Sequence, residues 1–200
     1  MAGNDPGTPA NPAESGAGDH AYAAVMARAR ALVPQLRERA ALSEELRRLP
    51  PETENDFHEA GLFKILKPRR AGGLEFDYVA LVDFAEAIAV ADASAAWTLA
   101  NLASHHWMLG MFDHRAQDAV WAKDPNALIA SSFVFPSGRA TKVEGGYRLQ
   151  GRWPFSSGVD CCAWNMLAGH VSSDDEADGI EYRIFLVPRE RYRIIDMWNA

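Results

Sequence analysis

The feature that most constrains the fold is a change in the spacing of apolar residues near Pro125. Before this proline, apolar residues recur every three or four positions, which is typical of amphipathic helices. After it, short apolar-rich runs lie between turn residues, which is typical of strands. Helices followed by strands predict an α+β chain, with a helical domain over residues 19–124 and an antiparallel β barrel or sandwich over residues 125–200.

Prolines and glycines divide the first half of the helical domain. Residues 20–41 have one apolar stripe, and Pro34 should kink or divide that helix. Ser43 is a candidate N-cap for a short helix that follows. Pro51 suits the first turn of the next helix, and Gly61 suits its end.

The second half of this domain predicts three more helices. Residues 78–91 are apolar on nearly all sides, so we expect this helix to be central. Ser94 is a candidate N-cap for a helix over residues 95–111, and residues 114–122 form a short helix that ends before Asp124-Pro125.

The β domain contains one strong hairpin signal, Gly145-Gly146, because paired glycines accept positive φ without steric cost. Residues 174–179 form an acidic loop between two strands. The last strand runs to the chain end without a cap, so we expect these 200 residues to be the front part of a longer protein. The predicted strands are residues 128–134, 140–143, 147–151, 164–171, 182–187 and 192–197.

Composition excludes several classes of partner and compartment. Residues 1–18 have the composition of a disordered tail and lack the apolar run of a signal peptide. The net charge of −7 argues against nucleic acid or an anionic membrane as partner. The two cysteines, Cys161 and Cys162, are adjacent and form no disulfide framework, which favours a reducing, cytoplasmic setting.

The segment after the hairpin is the first candidate site. Trp153 offers a flat apolar face, and Ser156 and Ser157 offer hydroxyl and N–H groups where the chain bends at Gly158. A flat face beside small donors suits a planar cofactor with a polar edge. The alternative is an ordinary hairpin with a buried tryptophan and a serine-rich turn.

Two further groups of polar residues are candidates. His105 and His106 lie in an otherwise small and apolar helix, where one imidazole could face a pocket and bind a weakly acidic substrate group. The alternative is one core histidine bonded to a carbonyl and one surface histidine. Ser131 and Ser132 could hold a cofactor edge or could simply end a strand.

Common cofactor and metal motifs are absent from the sequence. It contains neither of the two glycine-rich nucleotide fingerprints, and its six histidines lack metal-ligand spacing. We therefore predict no metal site.

Taken together, the residues resemble the oxygenase components of two-component, flavin-dependent aromatic monooxygenases, which have the acyl-CoA dehydrogenase fold. The secosteroid phenol hydroxylases and the 4-hydroxyphenylacetate 3-hydroxylases are most similar. The resemblance runs from about residue 20 to the end of the chain and favours the functional interpretation of the hairpin and of the histidine. The matching segments are residues 46–53, Pro68 with 72–74, 105–107, 112–121, 131–132, 145–147, 151–153, 156–158 and Trp164.

The resemblance implies a reaction and a set of roles. Reduced FMN or FAD from a separate flavin reductase would react with O2 to a C4a-hydroperoxide, which hydroxylates a small phenolic substrate. His105 would contact the phenol and favour phenolate, and Ser156 or Ser157 would lie near flavin N5. Trp153 and the Ser131-Ser132-Phe133 strand would line the isoalloxazine.

The sequence departs from the family in two ways. Cys161-Cys162 stands where relatives often carry a histidine. The C-terminal four-helix bundle, which completes the flavin site and a homotetramer core in the family, is absent from these residues. Alternatives within the fold are an acyl-CoA dehydrogenase or an enzyme that oxygenates nitrogen or sulfur. A truncated, non-catalytic fragment is the alternative outside enzymes.

Overall fold

The computed structural model describes residues 12–171 and 180–197. Six α-helices in this part of the chain precede a five-stranded sheet, which confirms the α+β class. The helices are α1 (Pro12–Ala31), α2 (Val33–Leu46), α3 (Pro51–Ala60), α4 (Ala80–Ala89), α5 (Ala93–Gly110) and α6 (His114–Trp121). The strands are β1 (Ile129–Ser132), β2 (Gly138–Val143), β3 (Gly146–Gly151), β4 (Trp164–Val171) and β5 (Glu181–Pro188).

The helix boundaries follow the chain's prolines and glycines, with two corrections. Pro51 begins α3, and Gly61 ends it with φ at 79°. Ser43 lies inside α2 and bonds the Arg39 carbonyl, so its predicted role as an N-cap is wrong. Helix α1 starts at Pro12, within the predicted tail, and residues 1–11 lie outside the described residues.

The N-cap of α5 is Asp92 rather than the predicted Ser94. The Asp92 carboxylate accepts hydrogen bonds from the Ser94 and Ala95 N–H groups, at 2.8 and 3.0 Å. A carboxylate at this position also complements the positive end of the helix dipole.

Helix α4 is less central than its composition indicates. Phe84 and Ile88 are buried, but Val82 is 63% exposed and Val79 and Val90 are similarly accessible. The helix therefore buries one side and leaves an apolar side open in the described part of the chain.

Helix α5 joins the two hydrophobic cores. Leu99 and Leu102 belong to the core of the helical part, while Leu109 packs with Ile129 and Met166 of the sheet. Because one continuous helix belongs to both cores, side chains along it are fixed relative to the sheet.

The sheet is mixed, which corrects the predicted antiparallel domain. Strand β4 pairs in parallel with β1 and β2 and antiparallel with β5. The segment between β1 and β4 contains the β2–β3 hairpin. It is long enough to act as a crossover, so β4 returns beside β1 in the same direction.

Two details of the β region also differ from the sequence prediction. Val143 pairs with Gly146, so the hairpin turn is Glu144-Gly145, with φ of 77° at Gly145. Residues 192–197 form no strand; the Asp196 carboxylate instead pairs with Arg47 at the end of α2. The predicted acidic loop over residues 174–179 lies outside the described residues.

Within the described ranges, none of the helices combines the length and hydropathy needed to cross a membrane.

Candidate functional site

His105 is held by the packing of α5 against β1. Its Nδ1 lies 2.8 Å from the Ile129 carbonyl oxygen, and its side chain is 5% exposed. A carbonyl oxygen can only accept, so Nδ1 carries the proton in this hydrogen bond. Burial lowers the pKa of His105 to about 4, although the bond to Ile129 opposes the shift. The imidazole is therefore neutral near pH 7.

Ser131 completes this pair. Its Oγ lies 2.8 Å from His105 Nε2. Because Nδ1 holds the proton of the neutral ring, Nε2 accepts and the Ser131 hydroxyl donates. The Ser131 oxygen then has lone pairs left for a donor from elsewhere. The ring of Phe133 meets the imidazole edge-on, with centroids 6.4 Å apart.

His106 has a structural role, and neither histidine lies on the surface as one alternative required. His106 is buried, with Nδ1 2.6 Å from the Phe63 carbonyl and Nε2 3.3 Å from the Ala127 carbonyl. These contacts link α5 to the segments that contain Phe63 and Ala127. His105 is thus the imidazole of the pair that contacts a predicted site residue.

The Ser156-Ser157-Gly158 turn is fixed from two sides. The Ser132 hydroxyl donates to the Pro154 carbonyl at 2.6 Å, which ties the turn to β1. Gly158 has φ of 74°, and a Cβ there would approach the Thr98 methyl group at 2.9 Å. Glycine is therefore required both for the backbone conformation and for the close approach to α5.

Two side chains donate to the serines of this turn. Asn165 Nδ2 lies 3.2 Å from Ser156 Oγ, and Trp97 Nε1 lies 3.1 Å from Ser157 Oγ. Each serine oxygen accepts a hydrogen bond from the protein, so each hydroxyl proton is left to donate elsewhere. Asn165 and Trp97 were missed at the sequence level. A lone asparagine within the apolar run of β4 was the available signal for the first.

Two exposed aromatic rings flank the turn. Phe155 is 78% exposed and has φ of 57°, a left-handed conformation that is uncommon for a bulky residue. Trp97 is 64% exposed. Trp97 and His105 lie on α5 with about 12 Å of helix axis between them, which separates the turn from the His105–Ser131 pair.

Trp153 lies on the sheet rather than against the other candidate residues. Its indole N–H donates to the Ala168 carbonyl at 2.6 Å, and its ring covers Gly138 and Gly151. A Cβ at Gly138 would come within 2.7 Å of that ring. The lining of a cofactor by Trp153 stays a prediction.

The two cysteines support the same turn. The thiols of Cys161 and Cys162 both donate to the Gly158 carbonyl, at 3.2 and 3.1 Å. Burial raises the pKa of the Cys162 thiol well above its usual value, so this group is protonated.

The sequence and the fold of this chain are similar to those of known proteins. The family model of the acyl-CoA dehydrogenase N-terminal domain matches residues 20–123. The chain is 40% identical to the flavin-dependent monooxygenase oxygenase subunit HsaA of Rhodococcus jostii (strain RHA1), over 88% of this chain and 45% of that protein. It is 37% identical to the p-hydroxyphenylacetate 3-hydroxylase oxygenase component of Acinetobacter baumannii, over 84% of this chain and 39% of that protein.

A solved structure extends this similarity to three dimensions. XiaF from Streptomyces sp., in complex with FADH2 and glycerol, superposes with a TM-score of 0.86 at 25% identity. The match covers 94% of this chain and 47% of that one. The chain thus spans less than half the length of the relatives it matches. Since the family model covers more than half of its residues, the chain belongs to the acyl-CoA dehydrogenase family through its N-terminal domain.

Proposed function

We propose that the chain is part of an oxygenase component that hydroxylates a small phenolic substrate with O2 and reduced flavin. The observation that carries this proposal is the hydrogen bond between buried His105 and half-buried Ser131, which leaves the Ser131 oxygen able to accept from a substrate hydroxyl. The similarity to two oxygenase components supports it, and favours an oxygenase over an acyl-CoA dehydrogenase.

The pair would act on the phenol through Ser131. Both nitrogens of His105 are already engaged, so a phenol O–H donates to Ser131 Oγ, whose own proton is held by Nε2. A neutral imidazole whose pKa is about 4 polarises this chain of hydrogen bonds without removing the proton outright. Electron density on the phenol ring rises, which favours attack by the ring on an electrophilic oxygen. We therefore propose a relay through Ser131, while the direct contact between His105 and phenol that the resemblance implies stays a prediction.

The residues of the turn fit a reduced flavin. The isoalloxazine is planar with a polar edge, and the turn offers two hydroxyl donors beside two exposed aromatic rings. Ser156 and Ser157 would hold the polar edge, while Trp97 and Phe155 would cover apolar surface. When bound, the reduced flavin supplies the electrons that activate O2. The exposed ring of Phe155 would help to exclude water from the site.

The remaining assignments are proposals on the same basis. The reduced flavin would come from a separate reductase, as the term oxygenase component implies for the relatives. A homotetramer of the complete protein and a cytoplasmic setting, indicated by the family resemblance and by the cysteines respectively, are proposed with it.

The test is hydroxylation by the protein at its natural length. FMN or FAD, kept reduced by a separate flavin reductase, is supplied in air with a para-substituted phenol, and product and hydrogen peroxide are both quantified. We expect the ortho-hydroxylated phenol in excess of peroxide. Stoichiometric peroxide without product, across a panel of phenols, would contradict the proposal.

A further inference from the structure

Asn165 is a buried polar residue beside the apolar run Met166-Leu167-Ala168 of β4. It is 3% exposed and lies between Trp164 and Met166 on β4. In register it pairs with Ala130 of β1 and Val187 of β5. An apolar residue of similar shape would suit these surroundings, so packing alone does not explain the amide.

The amide is only half satisfied. Asn165 Nδ2 donates to Ser156 Oγ, but Oδ1 is buried with no hydrogen-bond partner in the described part of the chain. Leaving a buried acceptor unpaired is unfavourable for the folded state. The unpaired acceptor therefore destabilises the folded state. In return, the amide of Asn165 provides the hydrogen bond to Ser156.

That hydrogen bond determines which way Ser156 can act. A hydroxyl has one proton, and an amide N–H can only donate. With Asn165 donating into Oγ, the Ser156 proton must be donated to a different group. Without Asn165, the Ser156 hydroxyl could rotate and use its proton within the protein.

We infer that Asn165 is a positioning residue that fixes Ser156 as a hydrogen-bond donor towards the polar edge of a reduced flavin. The inference rests on the proposed function, because it needs the flavin at this turn. Asn165 acts through Ser156 and does not itself have to touch the cofactor.

The test compares flavin affinity with stability in Asn165→Leu. Leucine keeps the branched shape but removes both the hydrogen bond and the unpaired acceptor. We expect the affinity for reduced FMN or reduced FAD, measured by anaerobic titration of the natural-length protein, to fall about tenfold. The thermal unfolding midpoint should stay the same or rise, because a destabilising buried group is gone. A residue with only a structural role would lose both together.

A double-mutant cycle adds a second readout. If Asn165 acts through Ser156, then Asn165→Leu combined with Ser156→Ala binds reduced flavin as weakly as Ser156→Ala alone. Asn165→Asp is a second, nearly isosteric variant. Once its carboxyl group is ionised it can only accept, so Ser156 turns its proton inward and affinity falls as pH rises through the pKa of that carboxyl group. Asn126→Leu makes the same change in an exposed loop and should leave affinity unchanged.

The outcomes separate this inference from the proposed function. Unchanged flavin affinity in Asn165→Leu, or additive losses in the double mutant, would overturn the role of Asn165 while the unmodified protein still binds flavin. Failure of the unmodified protein to bind either reduced flavin would overturn the proposed function and the inference with it.

Discussion

Ser131 and Ser156 carry the same hydroxyl group, but their surroundings give the two hydroxyls opposite roles. Ser131 donates its proton to the neutral His105, so its oxygen is left to accept. Ser156 accepts from Asn165, so its proton is left to donate. An acceptor suits the O–H of a phenol, and a donor suits the carbonyl edge of a flavin.

The difference shows that the hydrogen-bond partner of each serine decides whether its hydroxyl is left to accept or to donate. A serine by itself can be donor or acceptor, and both serines look alike in sequence. A buried imidazole with one fixed proton makes one of them an acceptor, and a carboxamide makes the other a donor.

The largest effect is expected at the His105–Ser131 pair, which is the acceptor side of the candidate site. His105→Asn removes the ring nitrogen that holds the Ser131 proton, so the polarisation of the phenol is lost. We expect kcat for hydroxylation to fall by about 100-fold, in the range of general acid–base groups. The affinity for reduced flavin should change little, because the Ser156 side is intact. Product formation and anaerobic flavin titration measure the two quantities.

A matched control separates this effect from loss of an imidazole in general. His114→Asn makes the same change at the exposed first residue of α6 and should leave kcat as it is. Equal losses of hydroxylation and of flavin affinity in His105→Asn would mean that the two sides are not independent.

A smaller effect is expected on the pH dependence of the free energy of unfolding, and it also distinguishes the acceptor side from the donor side. Burial lowers the pKa of His105 to about 4 in the folded protein, against about 6.5 when unfolded. Between these values the unfolded state binds more protons, so stability falls as pH falls. We expect His105 to account for about 2 kcal/mol of lost stability between pH 7 and pH 5.

Urea unfolding of variants at pH 7 and pH 5 measures the contribution of His105 to this loss of stability. His105→Asn should show a weaker pH dependence than the unmodified protein, because its share is gone, whereas Ser156→Ala should keep the full dependence. An unchanged dependence in His105→Asn would show that this imidazole is not the titrating group. His106, whose pKa burial also lowers to about 4, contributes a similar share in every variant.

Gly158→Ala disturbs only the Ser156-Ser157-Gly158 turn, which is the donor side of the candidate site. The substitution places a Cβ at positive φ and within 2.9 Å of Thr98, so the turn must shift. We expect a loss of about 1 to 2 kcal/mol in the free energy of unfolding, measured with urea. Gly146→Ala is the control, since nothing lies within 4 Å of a Cβ there. A larger loss in the control would contradict this account of the turn.

The smallest effect is expected from removing one hydrogen bond on the donor side. Trp97→Phe keeps an aromatic ring but removes the N–H that donates to Ser157. One exposed hydrogen bond corresponds to about 1 kcal/mol, so reduced-flavin affinity should fall by a few-fold. A loss larger than that of Ser156→Ala would show that Ser157, and not Ser156, is the main donor.

Much of the fold could be predicted from the sequence, because periodicity and turn residues act locally. The structure confirms the predicted start of α3 at Pro51, its end at Gly61 and both ends of β4. The parallel pairing of β1 with β4 could not be predicted, since strand direction depends on contacts far apart in the chain.

The site was predictable as a set of residue types but not as a set of roles. His105, Ser131, Ser156 and Ser157 were all candidates, yet hydrogen-bond direction depends on Ile129, Asn165 and Trp97. These partners come from other elements of the fold, and Asn165 and Trp97 belong to no motif that the sequence displays.

The most direct test of opposite roles compares Ser131→Ala with Ser156→Ala. Reduced flavin is titrated anaerobically into each variant, and a phenol is then titrated into the flavin-saturated protein. We predict that Ser131→Ala weakens phenol binding and leaves flavin binding unchanged, and that Ser156→Ala weakens flavin binding and leaves phenol binding unchanged. Equal effects of both variants on both ligands would contradict the division of the site into an acceptor side and a donor side.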